Sequence, residues 1–282
     1  MTASPSSSVQ AARKAVAERL KEIRRDANLT AKDVAERTGW YKSKVSRLEN
    51  AVTPPSDDDV RAWCAACGAD GMASDVIAAS RLADHAYVDW RRLQRTGLRR
   101  LQESYVSLFE QTQSFRIYCS NVVPGLLQTE GYAAALLGSI AEFRRTPNDV
   151  SAAVAARMRR SRIVREGDHR FALLVEESVL RHRVGGAEVM AGQLDHLLSV
   201  MAIPSVSLGI IPFTADRGMW MIETFSIYDQ RQAQVETLTA QVNVTAPSEV
   251  EQYVKAFREF ARIAVYGARA RDLITSAVDA LS

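Results

Sequence analysis

The sequence has few cysteines and histidines, and it has no long apolar run. Of 282 residues, three are cysteine and four are histidine. The odd set Cys64, Cys67 and Cys119 excludes a disulfide-rich scaffold and favours a reducing, cytoplasmic location. No metal site is expected, because no second Cys or His pair stands at zinc-ligand spacing. The apolar runs are too short for a membrane span, and residues 1–8 lack the pattern of a signal peptide.

Motifs for catalysis or cofactor binding are also sparse. No glycine-rich phosphate loop is present, and Gly185-Gly186 is interpreted as a helix connector. Glu176 and Glu177, with His182 nearby, could supply acid and base groups, but carboxylates that end a strand are more often paired with a neighbouring arginine. We therefore predict that the protein is not an enzyme, with no catalytic residues and no cofactor.

The composition is that of a folded chain whose positive charge is concentrated near its start. Apolar residues make up 47% and charged residues 24%, and the length allows two domains. The net charge is +3, yet residues 9–50 alone carry +5, which indicates a polyanionic partner such as nucleic acid. Two further arginine-rich stretches, 81–100 and 157–170, are interpreted mainly as solvated helix faces.

The pattern along the chain predicts a mainly α-helical protein with a C-terminal α+β part. We expect a disordered tail at 1–8, a five-helix DNA-binding domain at 9–80, a long helical connector at 81–111, and a mixed α/β regulatory and dimerisation domain at 112–282. Within the last domain, β-branched or alternating segments predict strands at 115–119, 171–176, 206–211, 223–228 and 240–244.

A helix-turn-helix motif is predicted at residues 31–50. Ala35 supplies the small side chain that two steeply crossing helices need, and Gly39 supplies the tight turn. Val45 and Leu48 turn the apolar face of the second helix towards the first. Thr30 with Asp33 has the pattern of a capping box. The second helix would therefore be the recognition helix that enters the major groove.

The remaining face of that helix carries polar or aromatic residues and no acid. We predict base contacts by Tyr41, Lys42, Ser43 and Arg47. Phosphate contacts are predicted for Thr30, Lys32, Lys44, Ser46 and Asn50.

These residues resemble the Xre or lambda-repressor-like class, with Val34-Ala35, Thr38-Gly39 and residues 44–50 (KVSRLEN) as the clearest matches. The later segments 123–132, 157–162, 184–186, 190–197 and 211–213 resemble the C-terminal domain of a large actinomycete family of Xre-type, antitoxin-like regulators. The resemblance implies a lambda-repressor-like fold, a DNA-binding regulator and a small partner protein encoded nearby. It assigns no activity to the C-terminal domain. Ala31 departs from the class, in which many relatives have a glutamine that can support a base contact.

We therefore expect a homodimeric, sequence-specific transcription regulator that binds double-stranded DNA. Its C-terminal domain would sense a small-molecule effector or dock a small protein partner. One alternative is an antitoxin-like protein whose main role is to neutralise that partner, and another is an enzyme domain fused to a DNA-targeting module. Met219, Trp220 and Met221 are candidates for a ligand or partner surface, although a place in the core fits them equally well.

Overall fold

The computed structural model describes residues 7–83, 87–95 and 97–281. Most of the expected tail, residues 1–6, lies outside this described part, whereas residues 7 and 8 already belong to the first helix. The chain divides into two compact units. The first comprises Met1–Val88 with Gln241–Glu251, and the second comprises Asp89–Ala240 with Gln252–Ser282.

The N-terminal part of the first unit contains five α-helices, as the sequence predicts. Their core consists of residues from all five, with Leu20, Val34, Val45 and Trp63 completely or almost completely buried. The indole Nε1 of Trp63 donates a hydrogen bond of 3.0 Å to the carbonyl oxygen of Leu20, so even the polar atom of this large side chain is satisfied. The helices are α1 (Ser7–Asp26), α2 (Ala31–Thr38), α3 (Lys42–Glu49), α4 (Asp57–Ala66) and α5 (Ala73–Ala83).

The segment expected to be a long helical connector, 81–111, consists of short elements where the structure describes it, and residues 84–86 and 96 lie outside the described part. The short elements are β1 (Tyr87–Asp89), α6 (Trp90–Gln94), α7 (Leu98–Ser104) and α8 (Val106–Gln111). Gly97 interrupts the helical pattern with a φ of +99°, and the carboxylate of Asp149 accepts hydrogen bonds from the backbone N–H groups of Leu98 and Arg99. The connector prediction is wrong in this respect, because a partner distant in sequence sets the start of α7. From Asp89 onwards this segment belongs to the second unit.

The second unit is built on a mixed sheet. Five of its strands lie in the order β6-β5-β2-β3-β4. β2, β3 and β4 run parallel, with Phe115 opposite Phe171 and Phe171 opposite Val206, whereas β5 pairs antiparallel with β2 and β6. The bounds are β2 (Ser114–Cys119), β3 (Arg170–Glu176), β4 (Val206–Ile211), β5 (Phe225–Tyr228) and β6 (Gln232–Glu236). A further strand, β7 (Ala240–Val244), follows. The predicted strands are confirmed, and β1 and β6 are additions.

Helices pack on this sheet and enclose its core. Phe115 of β2 and Phe171 of β3 stack with ring centroids 4.8 Å apart. Leu173, also on β3, is completely buried. The helices are α9 (Glu130–Arg144), α10 (Val150–Ser161), α11 (Glu177–Arg181), α12 (Ala187–Val200), α13 (Pro247–Ile263) and α14 (Gly267–Asp279). None of the helices in the described part of the chain is long and apolar enough to span a bilayer.

Candidate nucleic-acid interface

Helices α2 and α3 form the predicted helix-turn-helix. Gly39 ends α2 in the left-handed conformation at φ +71°, and the N–H of Trp40 bonds to the carbonyl of Ala35 at 2.9 Å. Ala35 of α2 and Val45 and Leu48 of α3 are buried in the same hydrophobic core. The turn therefore has the backbone that only glycine adopts without strain, which confirms the sequence argument for Gly39.

A capping box fixes the start of α2, as predicted. The backbone N–H of Asp33 donates to Oγ1 of Thr30 at 3.2 Å, and the backbone N–H of Thr30 donates to the Asp33 carboxylate at 2.7 Å. The hydroxyl and backbone N–H groups of Thr30 hold the pKa of Asp33 below its usual value. The hydroxyl of Thr30 thus serves the helix start, while the residue itself remains exposed.

The face of α3 that was assigned to DNA is open to solvent. Tyr41, which precedes the helix, is 86% exposed. Within the described residues, neither Lys42 nor Arg47 takes part in an ion pair, so both cations are available to an anionic partner. The exposed positions of this face are Tyr41, Lys42, Ser43, Ser46, Arg47 and Asn50.

Lys44 differs from the other residues assigned to DNA. Its ammonium group forms an ion pair with Asp59 of α4 and lies 4.0 Å from the centre of the Trp40 ring. The side chain is only 35% exposed. The structure therefore directs Lys44 into the first unit, where it links α3 to α4, and its proposed phosphate contact would have to compete with Asp59.

The other residues predicted to contact phosphates lie on the surface with weak or local partners. Lys32 pairs with Glu36 one turn later at 3.5 Å, an exposed pair of little energetic weight. The side-chain amide of Asn50 donates to the backbone carbonyl of Ser46 at 2.8 Å, which helps to close the end of α3. The base and phosphate contacts of these side chains remain predictions.

A buried ion pair that sequence reasoning did not identify supports the recognition helix. Nε of Arg24 on α1 donates to Oε1 of Glu49 at the end of α3 over 2.6 Å, and both side chains are nearly buried. A second Arg24 nitrogen bonds to the carbonyl of Leu29. The sequence does contain one sign that Glu49 is buried. It lies four residues after Val45 and next to Leu48, on the apolar side of α3.

The arginines of α10 differ in part from the solvated face that the sequence predicts. Arg159 is exposed, as expected, but Arg157 and Arg160 point into the second unit. Arg160 is only 9% exposed and lies near the rings of Tyr105 and Phe109. The sequence sign of this burial is that positions 153, 157, 160 and 164 share one face of a helix. Ala153 and Val164 on that face are buried.

The acidic pair that could have supplied acid and base groups is held in ion pairs. Both nitrogens at the end of Arg217 bond to the carboxylate of Glu176, which also accepts a hydrogen bond from the Tyr118 hydroxyl. Glu177 pairs with Arg181 at 2.9 Å. No cluster of three or more His, Cys, Asp or Glu side chains capable of holding a metal occurs among the described residues.

The run Met219, Trp220 and Met221 lies on the surface between β4 and β5. Trp220 is 75% exposed and Met221 is 55% exposed, whereas Met219 is half-buried. A place in the core is thus excluded for Trp220 and Met221. The run remains a candidate contact surface together with the exposed Phe213.

Comparison with known families finds two matches along the chain. A model described as a helix-turn-helix domain matches residues 15–75, which contain α2 and α3. This domain indicates a DNA-binding regulator. No curated protein matches the chain. A model described as a domain of unknown function, DUF5753, matches residues 102–276, more than half of the chain. The chain therefore belongs to the DUF5753 family and carries a helix-turn-helix domain ahead of the family's domain.

Proposed function

We propose that the protein is a sequence-specific transcription regulator that reads the DNA major groove with α3. The observation that carries this proposal is that Lys42 and Arg47, on the second helix of a helix-turn-helix, stand exposed and without an ion-pair partner among the described residues. Tyr41 and Ser43 add a ring and a hydroxyl to the same face. Arginine and lysine suit the acceptor atoms of guanine, and a helix of this size fits the major groove.

A homodimer is part of the proposal. One short recognition helix reaches only a few base pairs, so a regulator of this type gains affinity and selectivity by placing two copies on two half-sites about one DNA turn apart. A cytoplasmic location belongs to the same proposal, since the regulator must reach DNA. The Xre and actinomycete antitoxin-like assignments also remain proposals that rest on the sequence resemblance.

The proposal is tested by removing single cations from α3. DNA fragments retained by the purified full-length protein are sequenced, and the enriched site is used in a gel-shift titration. We expect Lys42→Ala and Arg47→Ala each to weaken specific binding by about 1–3 kcal/mol.

Arg271→Ala is the matched control, because it removes one positive charge from an exposed position on α14, outside the helix-turn-helix. It should leave the affinity for the enriched site nearly unchanged. Equal affinities for the wild type and both α3 variants would refute the assignment of α3 as the recognition helix.

The second unit has two proposed roles, and neither involves catalysis. It could sense a small ligand and shift the dimer between states of different DNA affinity. It could instead dock a small protein encoded nearby, which is the antitoxin-like alternative. The exposed Phe213, Trp220 and Met221 favour docking, because adaptable apolar side chains suit a protein contact. If docking is the role, Trp220→Ala should abolish binding of that partner protein and leave DNA binding intact.

A further inference from the structure

The second unit contains a cavity of about 320 Å³. This volume lies at the lower end of the range for small-molecule sites. The walls are formed by α6 to α10 and by strands β2, β5 and β6. All of the lining residues belong to the second unit.

Two arginines border this cavity without a carboxylate partner among the described residues. Nε of Arg157 donates to Oε1 of Gln102 at 3.0 Å, and its Nη1 donates to Oε1 of Gln128. Nη1 of Arg160 donates to the backbone carbonyl of Gln102 at 3.2 Å. Neutral oxygens therefore hold both guanidinium groups in place, and neither group forms a direct ion pair with a carboxylate among the described residues.

The charge of the lining is positive. Arg144, Arg157 and Arg160 face a single acidic lining residue, Glu236, and no ion pair joins Glu236 to them within the described residues. Burial, with Arg160 as an added cause, lowers the pKa of Arg157 to about 10. Glu236 itself is exposed at the end of β6, yet desolvation by the surrounding protein raises its pKa, and the three arginines oppose that shift. An anion placed here would offset part of the cost of burying the guanidinium charges.

Two buried polar atoms beside the cavity have no hydrogen-bond partner in the described part of the chain. They are Nε of Arg160 and Oε1 of Gln94, and both residues line the cavity. Buried polar atoms are paired in most proteins, with a protein group, a water or a ligand. Because both residues line the cavity, a polar group of a bound ligand could supply the partners that these two atoms lack.

The rest of the lining is largely apolar and aromatic. Tyr105 and Phe109 pack against Arg160, and Trp90 lies under the guanidinium of Arg144 at 4.6 Å. Leu101 and Leu137 add aliphatic surface. Such a surface suits the hydrophobic body of a ligand, while the arginines suit its charged group.

We infer that this cavity binds a small organic oxyanion, a carboxylate or a phosphate carried on an aromatic or aliphatic body, with Arg157 and Arg160 as its cationic partners. The inference deepens the sensing role proposed for the second unit. Its test measures ligand binding alone, so it can fail while the DNA-binding proposal stands, and the reverse also holds.

The first test uses the full-length wild-type chain and three probes of similar shape. Isothermal titration calorimetry is run with benzoate, phenyl phosphate and neutral benzamide. We expect at least one anion to bind and benzamide to bind at least about tenfold more weakly, because it lacks the charge that the arginines recognise. The preferred anion distinguishes a carboxylate ligand from a phosphate ligand. No binding by either anion up to about 10 mM, or equal binding of benzamide, would overturn the inference.

The second test changes the charge of the lining in both directions. Arg157→Gln should weaken binding of the preferred anion by about tenfold or more, and Glu236→Gln should tighten it by about threefold. Arg159→Gln makes the same change on the exposed side of α10 and should leave affinity unchanged. Circular dichroism checks folding. If Arg157→Gln does not fold, the Glu236→Gln result decides, and unchanged or weaker binding in that variant contradicts the inference.

Discussion

Single side chains in this protein often serve the fold where the sequence suggests a surface role. Lys44 and Arg157 both stand in polar, basic stretches, yet Lys44 pairs with Asp59 and Arg157 bonds to Gln102 and Gln128. Their partners lie 15, 55 and 29 residues away in sequence. Local composition cannot reveal such partners, whereas the capping box of Thr30 and Asp33 was predictable because both residues lie within one turn.

Asp59 allows a pH-dependent test at this scale. Its carboxylate accepts hydrogen bonds from the backbone N–H of Ser56 and from the ammonium of Lys44. Burial acts to raise the pKa of Asp59, but the hydrogen bonds from Lys44 and Ser56 outweigh it, so the pKa lies below its usual value. Asp59→Asn should lower the free energy of unfolding by about 1–2 kcal/mol at pH 7.

The stabilisation from Asp59 is present above the pKa of the unfolded chain, about 3.9, and is lost as the pH falls through the lower folded value. The difference between wild type and Asp59→Asn should therefore stay constant between about pH 5 and 7 and shrink below about pH 4. Urea unfolding at several pH values measures it. Asp58→Asn is the control, since Asp58 is 94% exposed, and it should change stability by less than about 0.5 kcal/mol. A difference that grows in acid would contradict the assignment.

At the level of elements, local signals predicted the helices of the first unit well, but the second unit departed from them. The strand β6 (QAQVE) is rich in glutamine, yet Ala233, Gln234 and Val235 are all buried, so its polar composition hid a strand. The expected helix at 81–111 is divided near Gly97, where Asp149 occupies the space that a Cβ atom would need. Long-range neighbours thus decide both elements.

The turn between α2 and α3 offers a second test. Gly39 has a φ of +71° and open space where the methyl group of an alanine would lie, so Gly39→Ala introduces backbone strain without a clash. We expect a loss of about 1–2 kcal/mol in the free energy of unfolding. Gly71→Ala is the matched control in the same unit, because Gly71 also has open space but no positive φ. Similar stability losses in the two variants, measured by urea unfolding, would argue against strain at the turn.

At the scale of the whole molecule, the two units have separate cores. Sequence composition could not predict the strand order, in which β2 lies between β3 and β5. Nor could it predict the cavity, because a cavity depends on how elements distant in sequence close around a space. Residues 241–251 group with the first unit although they are far from it in sequence, and composition could not predict this either.

Separate cores predict separate unfolding transitions. Gly39→Ala should lower the melting temperature of one calorimetric transition, and Leu173→Ala should lower that of the other, since Leu173 is completely buried in the sheet. Truncation of a buried leucine costs about 2–5 kcal/mol, enough for a clear shift. Differential scanning calorimetry on the full-length chain measures both. A single transition that both variants shift alike would show that the units unfold as one.

The order of the strands also has a consequence for protein synthesis. The core of the first unit draws on residues between Val16 and Ala79, so it can assemble from neighbouring segments soon after they leave the ribosome. Strand β2 must wait for β3, which begins at Arg170, and for β5, which begins at Phe225. During translation the helix-turn-helix therefore has a complete core while the sheet of the same chain still lacks a neighbour.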